Sequence, residues 1–398
     1  MYHAMLKSRG QRAAIAQGRR LEAFNRPFLT GREFDYIAEA HAHGMLAGDG
    51  RFTSRCHARL EQALGCAKAL LTHSCTAALE MGALLAGVGP GDEVILPSYT
   101  FSSTANAFVL RGAVPVFVDI RPDTLNLDER LVEAAITPRT RAIVPVHYAG
   151  VACEMDALRD IAQRHRLMLI EDAAQAYGAH YRGRPLGTLG ALGCLSFHET
   201  KNVISGEGGA LLVNDATLLR RAEILREKGT DRSAFFRGEV DKYRWVDVGS
   251  SYLPGELVAA FLLAQLEQGD EIRRRRLEIW QHYHDGLAEL EARGSLRRPV
   301  VPPHCAHNAH MYYVLLPSLA ARQAVIGQLR DAGVQAVFHY VPLHSSPAGQ
   351  RFGRAATPMP HTDAAAERLL RLPLWIGVDR ERVLRSLVDA LQAISAPR

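Results

Sequence analysis

One lysine, Lys201, stands in the segment SFHETKNVISGEGGALLVND (196–215), between a short polar run and a cluster of glycines. Three glycines within four residues, Gly206, Gly208 and Gly209, favour a tight loop over a helix face. A lysine amine is a nucleophile toward an aldehyde, and a second amine can then replace the lysine in the imine that forms. Most lysines are solvated surface residues, but this loop makes Lys201 a candidate covalent anchor.

A second candidate group is the segment HSCTAALE, which leads into an apolar helical pattern over 75–87. Ser74, Cys75 and Thr76 would lie at the N-terminus of that helix, where hydroxyls cap the helix and free N–H groups attract anions. Helix capping alone would explain the same residues. The sequence has no Walker lysine here and no G-x-G-x-x-G after the first strand, which disfavours both common nucleotide loops.

A third candidate group follows the apolar run LMLI (167–170), which ends in Glu171 and Asp172. Successive side chains of a strand point to opposite faces, so the two acids are not a catalytic pair and one of them lies at the mouth of the sheet. Gln175 follows about one helical turn later. A helix N-cap would explain the acids equally well. Together, however, the three groups match pyridoxal phosphate, which requires phosphate donors, an acid for the ring nitrogen and a lysine for the aldehyde.

The elements that position these groups follow from hydrophobic periodicity. From residue 57 to about 235, apolar runs alternate with amphipathic stretches, which predicts an α/β fold with a mostly parallel sheet wrapped by helices. Helices are predicted at 75–87 and 155–166, and strands at 93–99, 114–120, 141–148 and 167–173. A long helical pattern over 254–293 follows. Then strands at 310–317 and 334–340 and helices at 321–333 and 380–395 indicate a smaller α+β domain.

The domain organisation expected from this pattern has three parts. Residues 1–20 form a basic leader that we expect to be disordered, 21–255 a large cofactor-binding domain, and 256–398 a linking helix with a small C-terminal domain. The leader holds five of the 47 basic residues and no acid, so the rest of the chain balances 42 basic against 42 acidic residues. A nucleic-acid arm is one interpretation of the leader, but we expect no nucleic-acid partner. The run Arg273–Arg276 is expected to coat a solvated helix face.

Composition and motifs limit the remaining classes of protein. No apolar run approaches the ~20 residues that span a bilayer, and no signal-peptide pattern opens the sequence, so we expect a cytoplasmic protein without a membrane partner. The six cysteines form no C-x-x-C pair, which is consistent with free thiols. The spacings of His304, Cys305, His307 and His310 fit no familiar zinc pattern, and we expect no metal site.

The order of five motifs, SCTAAL, PSYTF, EDAAQ, SFHETKN and GEGG, resembles the DegT/DnrJ/EryC1/StrS family of sugar aminotransferases over about residues 21–390. Six longer segments, among them PVHYAGVACEMD and VFHYVPLHSSPAG, are similar to its dTDP-4-amino-4,6-dideoxygalactose transaminase sub-group. The resemblance implies pyridoxal phosphate (PLP, cycling with its amine form PMP) as cofactor and the fold-type-I, aspartate-aminotransferase-like fold. That fold has a large domain with a mostly parallel sheet and a smaller α+β C-terminal domain.

The resemblance also implies roles for individual residues. Lys201 would bind the cofactor covalently and move protons, while Asp172 would pair with the ring nitrogen and Gln175 would contact the ring hydroxyl. Other cofactor contacts would come from Cys75, Thr76, Phe101, Ser196 and Ser251. Phe101 would stack on the ring where many members have tryptophan. Cys75 replaces a usual glycine, and Ser251 replaces an asparagine that in many members reaches the phosphate in the partner subunit.

The function implied is amino transfer from L-glutamate to C4 of dTDP-4-keto-6-deoxy-D-glucose, giving a dTDP-4-amino-4,6-dideoxyhexose and 2-oxoglutarate, in a homodimer with shared active sites. Candidate contacts to the nucleotide sugar are Arg51, Phe52, Lys242, Trp245, His310, His339 and Tyr340. A C3 keto nucleotide sugar or a cyclitol ketone is an alternative substrate. A dehydratase of this fold would have histidine in place of Lys201, and a PLP-binding regulator acting through the basic leader is a distant alternative.

Overall fold

The structure is a computed structural model that describes residues 21–395. The leader predicted for residues 1–20 lies outside this range. No helix within residues 21–395 is both long enough and apolar enough to pass through a membrane.

The described residues form the following strands and helices. The strands are β1 (Lys68–Thr72), β2 (Glu93–Pro97), β3 (Val114–Val118), β4 (Thr140–Ile143), β5 (Met168–Asp172), β6 (His180–Tyr181), β7 (Arg184–Pro185), β8 (Leu192–Ser196), β9 (Gly209–Val213), β10 (Cys305–Ala306), β11 (Tyr312–Leu315), β12 (Arg354–Ala355) and β13 (Leu369–Leu372). The helices are α1 (Glu33–Ala42), α2 (Arg51–Leu64), α3 (Cys75–Leu85), α4 (Ser102–Val109), α5 (Glu129–Val132), α6 (Met155–His165), α7 (Leu219–Arg226), α8 (Arg232–Phe236), α9 (Glu256–Glu267), α10 (Gly269–Gly286), α11 (Ala288–Ala292), α12 (Leu319–Asp331), α13 (Pro347–Phe352), α14 (Pro360–Arg368) and α15 (Arg380–Ser395).

The largest sheet has the strand order β1-β9-β8-β5-β4-β2-β3-β12 within the described residues. Neighbours from β8 through β5, β4, β2 and β3 to β12 pair in parallel, while β9 runs antiparallel to both β8 and β1. The predicted mostly parallel sheet is therefore confirmed. Because parallel strands end at one edge of the sheet, the residues that follow them gather there.

Helices cover both faces of this sheet, since its strands are apolar on both sides. In β2, Ile95 packs with side chains of α2, α6 and α9, whereas Val94 and Leu96 pack with those of α3, α4 and α7. This alternation explains why the strands appear as continuous apolar runs in the sequence rather than as an apolar–polar pattern.

The C-terminal part is a second, smaller α+β unit. Strand β11 pairs antiparallel with β13, and residues of α10, α12 and α15 pack around them in a separate hydrophobic cluster. The predicted small α+β domain is confirmed. The long helical pattern over 254–293 forms three consecutive helices, α9 to α11, rather than one. The domain boundary at residues 255 and 256 stays a prediction, and the buried residues of α9 pack with the core of the large sheet.

Two sequence expectations are wrong. Arg276 does not lie on a solvated face: it is 5% exposed, and its guanidinium donates to the carbonyls of Ala309 and His310 at 3.1 and 2.8 Å. The predicted strand at 334–340 makes only isolated bridges, one through Val334 and one through Val337. From there the chain turns into the mouth of the large sheet, because its aromatic side chains pack against tyrosines of that sheet edge.

A buried glutamate positions the loop before α2. Glu256 at the start of α9 is 2% exposed and accepts from the backbone N–H groups of Gly50, Phe52 and Thr53 at 3.1, 2.7 and 3.0 Å. These are donors of the first turn of α2, which its own N-cap residue leaves without a side-chain acceptor. A negative charge at a helix N-terminus is also favourable to the helix dipole.

Close packing of β9 on α3 requires glycine at position 209. A Cβ there would lie 2.4 Å from the carbonyl carbon of Ser74 and 2.5 Å from the nitrogen of Cys75. Both atoms are backbone, so they cannot move aside as the end of a flexible side chain could. Strand β9 is thereby held directly against the first turn of α3.

We expect Gly209→Ala to lower the free energy of unfolding by about 2 kcal/mol or more, because overpacking here displaces backbone. Gly327→Ala in α12 is the matched control, since its Cβ would meet nothing within 4 Å. That control should stabilise the protein by roughly 0.5–1 kcal/mol, the usual gain of alanine in a helix. Urea or thermal unfolding of both variants checks the prediction, and equal effects of the two substitutions would contradict it.

Candidate active site

Lys201 lies in the connection between β8 and β9, which its own backbone fixes. The N–H of Phe197 donates to Gly208, that of Glu199 to Gly206, and that of Lys201 to His198, at 2.8, 2.8 and 2.9 Å. Gly206 has φ +82°, a left-handed conformation that glycine adopts without strain. The next residue, Asn202, donates its side-chain amide to the carbonyl of Asn308 at 2.7 Å, which ties the loop to the C-terminal part.

The amine of Lys201 is desolvated although the residue as a whole is half-buried. Burial lowers the pKa of Lys201 below that of a surface lysine; Cys75 and Asp172 oppose this shift, and the positive charge of Arg371 adds to it. An amine that loses its proton more readily is a better nucleophile and base near neutral pH. Burial of the Cys75 thiol in turn raises its pKa well above the usual value, so near neutral pH Cys75 is uncharged and the opposing charge is that of Asp172.

The two acids at the end of β5 point in opposite directions, as the sequence predicted. Glu171 is fully buried and its carboxylate accepts four hydrogen bonds, from His147 Nε2 (2.8 Å) and from the backbone N–H groups of Gly187 (2.8 Å), Leu189 (2.6 Å) and Gly190 (2.6 Å). His147 Nδ1 accepts a hydrogen bond from the N–H of Cys153. The ring proton is therefore on Nε2, which donates a hydrogen bond to Glu171. Glu171 therefore holds a loop in place and takes no part in the site.

Asp172 turns to the side of Lys201. It is 5% exposed, and its carboxylate accepts from Thr104 Oγ1 at 2.7 Å and from the N–H of Ala174 at 3.1 Å. Thr104 itself shares a hydrogen bond of 2.8 Å with Thr100. Burial raises the pKa of Asp172, while the bonds from Thr104 and Ala174 and the charge of Lys201 hold it down. A protonated nitrogen placed next to this carboxylate would stabilise its ionised form.

The N-terminus of α3 opens beside these groups. Ser74 is the N-cap, and its hydroxyl accepts from the N–H of Ala77 at 3.1 Å. That cap leaves the N–H groups of Cys75 and Thr76 at the first turn, where helix geometry supplies no acceptor. Thr76 Oγ1 donates to Ser103 Oγ at 2.8 Å, which adds hydroxyls to the same place. These donors and the helix dipole are suited to a phosphate.

Ser196 ends β8, the strand next to Asp172 of β5, and is 8% exposed. Its hydroxyl accepts from the N–H of His198 at 3.4 Å. Ser196 also pairs with Gly209, the residue packed against the start of α3. The structure therefore brings Ser196 to the same strand edge as Asp172, Thr76 and Lys201.

The C-terminal part supplies the opposite wall. Gln175 Nε2 donates to Tyr340 OH at 3.1 Å, while its Oε1 accepts from the N–H of Ala149 at 2.7 Å. His339 Nδ1 lies 3.1 Å from Tyr148 OH, and His310 Nδ1 lies 3.3 Å from Asn202 Oδ1. Three of the substrate candidates, His310, His339 and Tyr340, are thus gathered at the site.

Other candidates lie elsewhere in this chain. Arg51 is exposed and lies 3.6 Å from Glu39, and Phe52 is 1% exposed in the core against Tyr36. Lys242, Trp245 and Ser251 lie on one exposed segment; Trp245 is 80% exposed. Within residues 21–395, no hydrogen bond or ring contact joins these five to Lys201 or Asp172. Phe101, 60% exposed, lies at the rim, just before α4.

Sequence reasoning missed several residues of the site. Thr104 and Ser103 come from SYTFSST, where only Phe101 was selected; hydroxyls following a buried strand were the available signal. Arg371 had a weaker signal, a cation inside the apolar strand LLRL. The His304–His310 segment forms no cluster, since His304 lies 3.1 Å from Glu154 and His307 packs on Trp280. No group of three or more metal-binding side chains occurs among the described residues.

This geometry can bind an anion at α3, hold a carbonyl compound on Lys201 and keep a ring nitrogen protonated at Asp172. A family profile described as the DegT/DnrJ/EryC1/StrS aminotransferase family matches residues 27–392, which is most of the chain. The chain belongs to this aminotransferase family. The resemblance in the sequence is thereby confirmed at the level of the family.

Solved structures of similar proteins agree with this assignment. TlmJ, an aminotransferase from Streptoalloteichus hindustanus, is 32% identical with a TM-score of 0.87, covering 94% of this chain and 100% of its own. DesV of S. venezuelae, in complex with a ketimine intermediate, is 33% identical with a TM-score of 0.83, covering 92% and 95%. The PLP form of Spr1654, a candidate sugar aminotransferase of Streptococcus pneumoniae, is 26% identical with a TM-score of 0.86, covering 95% and 100%.

This chain therefore has the fold of the fold-type-I PLP aminotransferases, as the sequence predicted. Its donor set also fits the cofactor. A lysine amine, a buried carboxylate and the free N–H groups of a helix N-terminus are the groups that an aldehyde, a pyridine nitrogen and a phosphate need. All three come from the edge where the strands of the large sheet end.

Glu171 and Asp172 have different surroundings, so replacing each acid by its amide should change the free energy of unfolding of the cofactor-free enzyme in opposite directions. The pKa of Asp172 is higher in the folded chain, so its ionisation opposes folding above that pKa and has no effect below the unfolded pKa of ~3.9. Asp172→Asn should therefore raise the free energy of unfolding at neutral pH, and the gain should shrink as the pH falls. The same variant should weaken cofactor binding.

Glu171→Gln is the matched control one residue away. An amide replaces an oxygen that accepts from buried N–H groups, so this variant should be destabilised by about 3 kcal/mol or more. Thermal unfolding of both cofactor-free variants between pH 4 and pH 8 measures the difference. Destabilisation of Asp172→Asn at neutral pH would contradict the account of Asp172.

Proposed function

We propose that this aminotransferase moves an amino group from L-glutamate to C4 of dTDP-4-keto-6-deoxy-D-glucose, releasing 2-oxoglutarate and a dTDP-4-amino-4,6-dideoxyhexose. The observation that carries the proposal is the desolvated amine of Lys201 facing buried Asp172 beside the free N-terminus of α3. PLP, when bound, supplies an aldehyde that accepts the amino group and a ring that withdraws electrons from the reacting carbon.

Asp172 and Lys201 carry out the proton chemistry. The Asp172 carboxylate would keep the ring nitrogen of bound PLP protonated, and hydrogen bonds from Thr104 and Ala174 fix the orientation of that carboxylate. Lys201 Nζ would remove the α-proton of the amino donor and return a proton to the former aldehyde carbon of the cofactor. Its lowered pKa favours the neutral amine that this step needs. Reversal of the same steps with the keto sugar completes a ping-pong cycle.

Binding of the phosphate falls to the first turn of α3. The N–H groups of Cys75 and Thr76 point along the helix dipole, and the hydroxyls of Thr76, Ser103 and Ser196 add donors. Cys75 replaces the glycine that is usual in the family, so its thiol occupies space next to the amine of Lys201. Gln175 would contact the ring hydroxyl, and Phe101 would cover one face of the ring.

The position of amination rests on the sub-group resemblance. The segments that resemble the dTDP-4-amino-4,6-dideoxygalactose transaminases include VFHYVPLHSSPAG, which contributes His339 and Tyr340 to the wall of the site. The wall also contains His310. These polar groups can form hydrogen bonds with the hydroxyls of a sugar. A C3 keto nucleotide sugar or a cyclitol ketone is the alternative substrate for the same site.

We also propose a homodimer in which each chain completes the other's site. The segment 236–248 exposes large apolar side chains, with exposed fractions of 70% for Phe236, 55% for Tyr243, 80% for Trp245, 46% for Val246 and 50% for Val248. Such a patch is typical of an interface. It also carries Lys242 and leads to Ser251, the candidates that lie away from Lys201 in their own chain.

Purified enzyme with PLP, L-glutamate and dTDP-4-keto-6-deoxy-D-glucose should give a product aminated at C4, identified by NMR, together with 2-oxoglutarate. Proton coupling constants of the sugar ring report the position and the stereochemistry. Amination at C3, or turnover only with a cyclitol ketone, would contradict the C4 assignment without affecting the transaminase chemistry.

Lys201→Ala should lower turnover by at least about 1,000-fold, because the variant would lose both the amine that binds the cofactor's aldehyde and the base that moves the α-proton. Its cofactor-loaded form should lack the visible absorbance of the lysine-bound cofactor. Lys68→Ala is a control, because Lys68 pairs with Glu61 on the surface at 3.2 Å and should leave turnover unchanged. Full activity of Lys201→Ala without added amine would disprove the mechanism.

The homodimer is tested by light scattering after size exclusion at micromolar concentration. Wild-type enzyme should have twice the chain mass, and Trp245→Asp should shift it toward the monomer and reduce turnover. Val300→Ser, at an apolar position that is 38% exposed and outside the segment, should remain a dimer. A wild-type monomer with full activity would contradict a shared site.

A further inference from the structure

A buried arginine joins the loop before α2 to the end of α7. Arg226 is 2% exposed, and its Nη1 donates to both carboxylate oxygens of Asp49, at 2.7 and 2.9 Å. Its Nε donates to the carbonyl of Leu71 in β1 at 2.7 Å. Asp49 has φ +63°, a left-handed conformation that aspartate adopts more readily than most residues. This guanidinium thus ties together three parts of the chain that are distant in sequence.

Glu227 adds a second carboxyl group. It is 3% exposed, and its side chain shares a hydrogen bond with that of Asp49. Two carboxyl groups can share a hydrogen bond only when one of them carries a proton. Burial raises the pKa of Glu227, and the Asp49 carboxylate raises it further. Burial also acts to raise the pKa of Asp49, but the charge of Arg226 and the bond from Glu227 outweigh it. Glu227 therefore holds the proton, and Asp49 is the ionised partner of Arg226.

Other basic groups face the two acids, but none of them replaces the shared proton. Lys228 and Arg232 lie 3.7 and 4.0 Å from Glu227, yet their side chains are 53% and 44% exposed, so solvent screens their charges. His57 of α2 lies on the side of Asp49. Burial lowers the pKa of His57 to about 3, and its Nε2 accepts from a backbone N–H of β1 at 2.9 Å, so it is neutral. Loss of the proton would leave two adjacent carboxylates repelling each other.

The same residues lie directly behind Ser251, which is exposed in this chain. The backbone around Glu227 pairs with the backbone around Ser251 through an isolated antiparallel bridge and hydrogen bonds of 3.0 and 3.2 Å. The loop 48–50 packs on the residues that follow, since a Cβ on Gly48 would lie 2.5 Å from the carbonyl oxygen of Pro254. The loop and the end of the exposed segment are therefore held as one unit.

We propose that Asp49, Arg226 and Glu227 are positioning residues for the active site of the partner subunit, an inference that rests on the proposed homodimer. Through the shared proton they hold Ser251 toward the cofactor phosphate bound in the partner. Within residues 21–395, Ser251 has no hydrogen bond or ring contact with Lys201, so its own chain gives it no such role. A serine hydroxyl reaches less far than the asparagine usual at this position, so its contact depends more on where the backbone lies.

The shared proton makes PLP binding depend on pH in a way that Glu227→Gln removes. The amide donates to Asp49 at every pH, so this variant should bind PLP as wild type does at pH 6. Because the pKa of Glu227 is raised, wild type keeps the proton at low pH and loses it as the pH rises. Between pH 6 and pH 9, wild-type affinity should fall by about threefold or more relative to the variant. Titration with PLP, read from the visible absorbance of the lysine-bound cofactor, measures this, and equal pH profiles would contradict the shared proton.

Asp49→Gly breaks the link without straining the backbone, since glycine adopts positive φ freely. It should weaken PLP binding by about tenfold or more, the usual effect of losing a hydrogen bond to a charged group. Arg166→Gly is the matched control. Arg166 also has a positive φ, +54°, but it is exposed at the end of α6, so PLP binding should not change.

Hybrid dimers identify the site that these residues serve. In a hybrid of one Lys201→Ala chain and one Asp49→Gly chain, the site that keeps Lys201 receives Ser251 from the chain whose Asp49 is intact. Its lysine-bound absorbance should appear with wild-type PLP affinity. When both substitutions are in one chain and its partner is wild type, the site that keeps Lys201 should bind PLP about tenfold more weakly. The reverse pattern would assign the three residues to the site of their own chain and overturn the proposal.

The remaining outcomes are also decisive. Wild-type affinity in both hybrids, or the same loss in both, would show that the three residues position nothing in the partner and would overturn the proposal alone. A monomeric wild-type enzyme would instead refute the homodimer on which it rests. If Asp49→Gly does not fold or dimerise, the pH profile of Glu227→Gln decides, because that variant keeps the donor to Asp49.

Discussion

The site depends on keeping a lysine amine and an aspartate carboxylate in one desolvated space without letting them neutralise each other. Burial alone lowers the pKa of Lys201 and raises that of Asp172, so both groups are shifted toward their neutral forms. A direct ion pair would cancel that effect and fill the space between them. The fold prevents it by anchoring the two groups separately, Lys201 through its loop and Asp172 through Thr104 and Ala174.

The anchoring begins one residue before Asp172. Glu171 is fully buried, and its four donors fix the carboxyl end of β5 to His147 and to the loop over 187–190. Because side chains alternate along a strand, this fixed residue dictates that Asp172 faces the other way. Gly209 sets a second reference, since its contact with the start of α3 places the helix N–H groups beside the end of β8. Glu171 and Gly209 take no part in the chemistry, but they set the positions of Asp172 and of the first turn of α3.

The sequence predicted the parts of this arrangement that depend on periodicity and on local spacing. The α/β alternation, the small α+β unit and the opposite faces of Glu171 and Asp172 all follow from patterns a few residues long. Arg276 was misassigned, because its acceptors are the carbonyls of residues 309 and 310, more than 30 positions away in the sequence. Thr104 and Arg371 were missed for the same reason: only the folded chain brings α4 and β13 to the end of β5. The exposed side chains of segment 236–248 were also missed as a group, because an apolar surface patch is recognised only when the exposure of each side chain is known.

The central claim is a covalent bond between PLP and the amine of Lys201. Reduction of the loaded enzyme with sodium borohydride would fix that bond, and mass spectrometry of the digested chain would locate it. The account predicts one modified peptide, carrying the added mass on Lys201, with the other lysines unmodified. A stable adduct on a different lysine, or no adduct in an enzyme that has bound PLP, would contradict it.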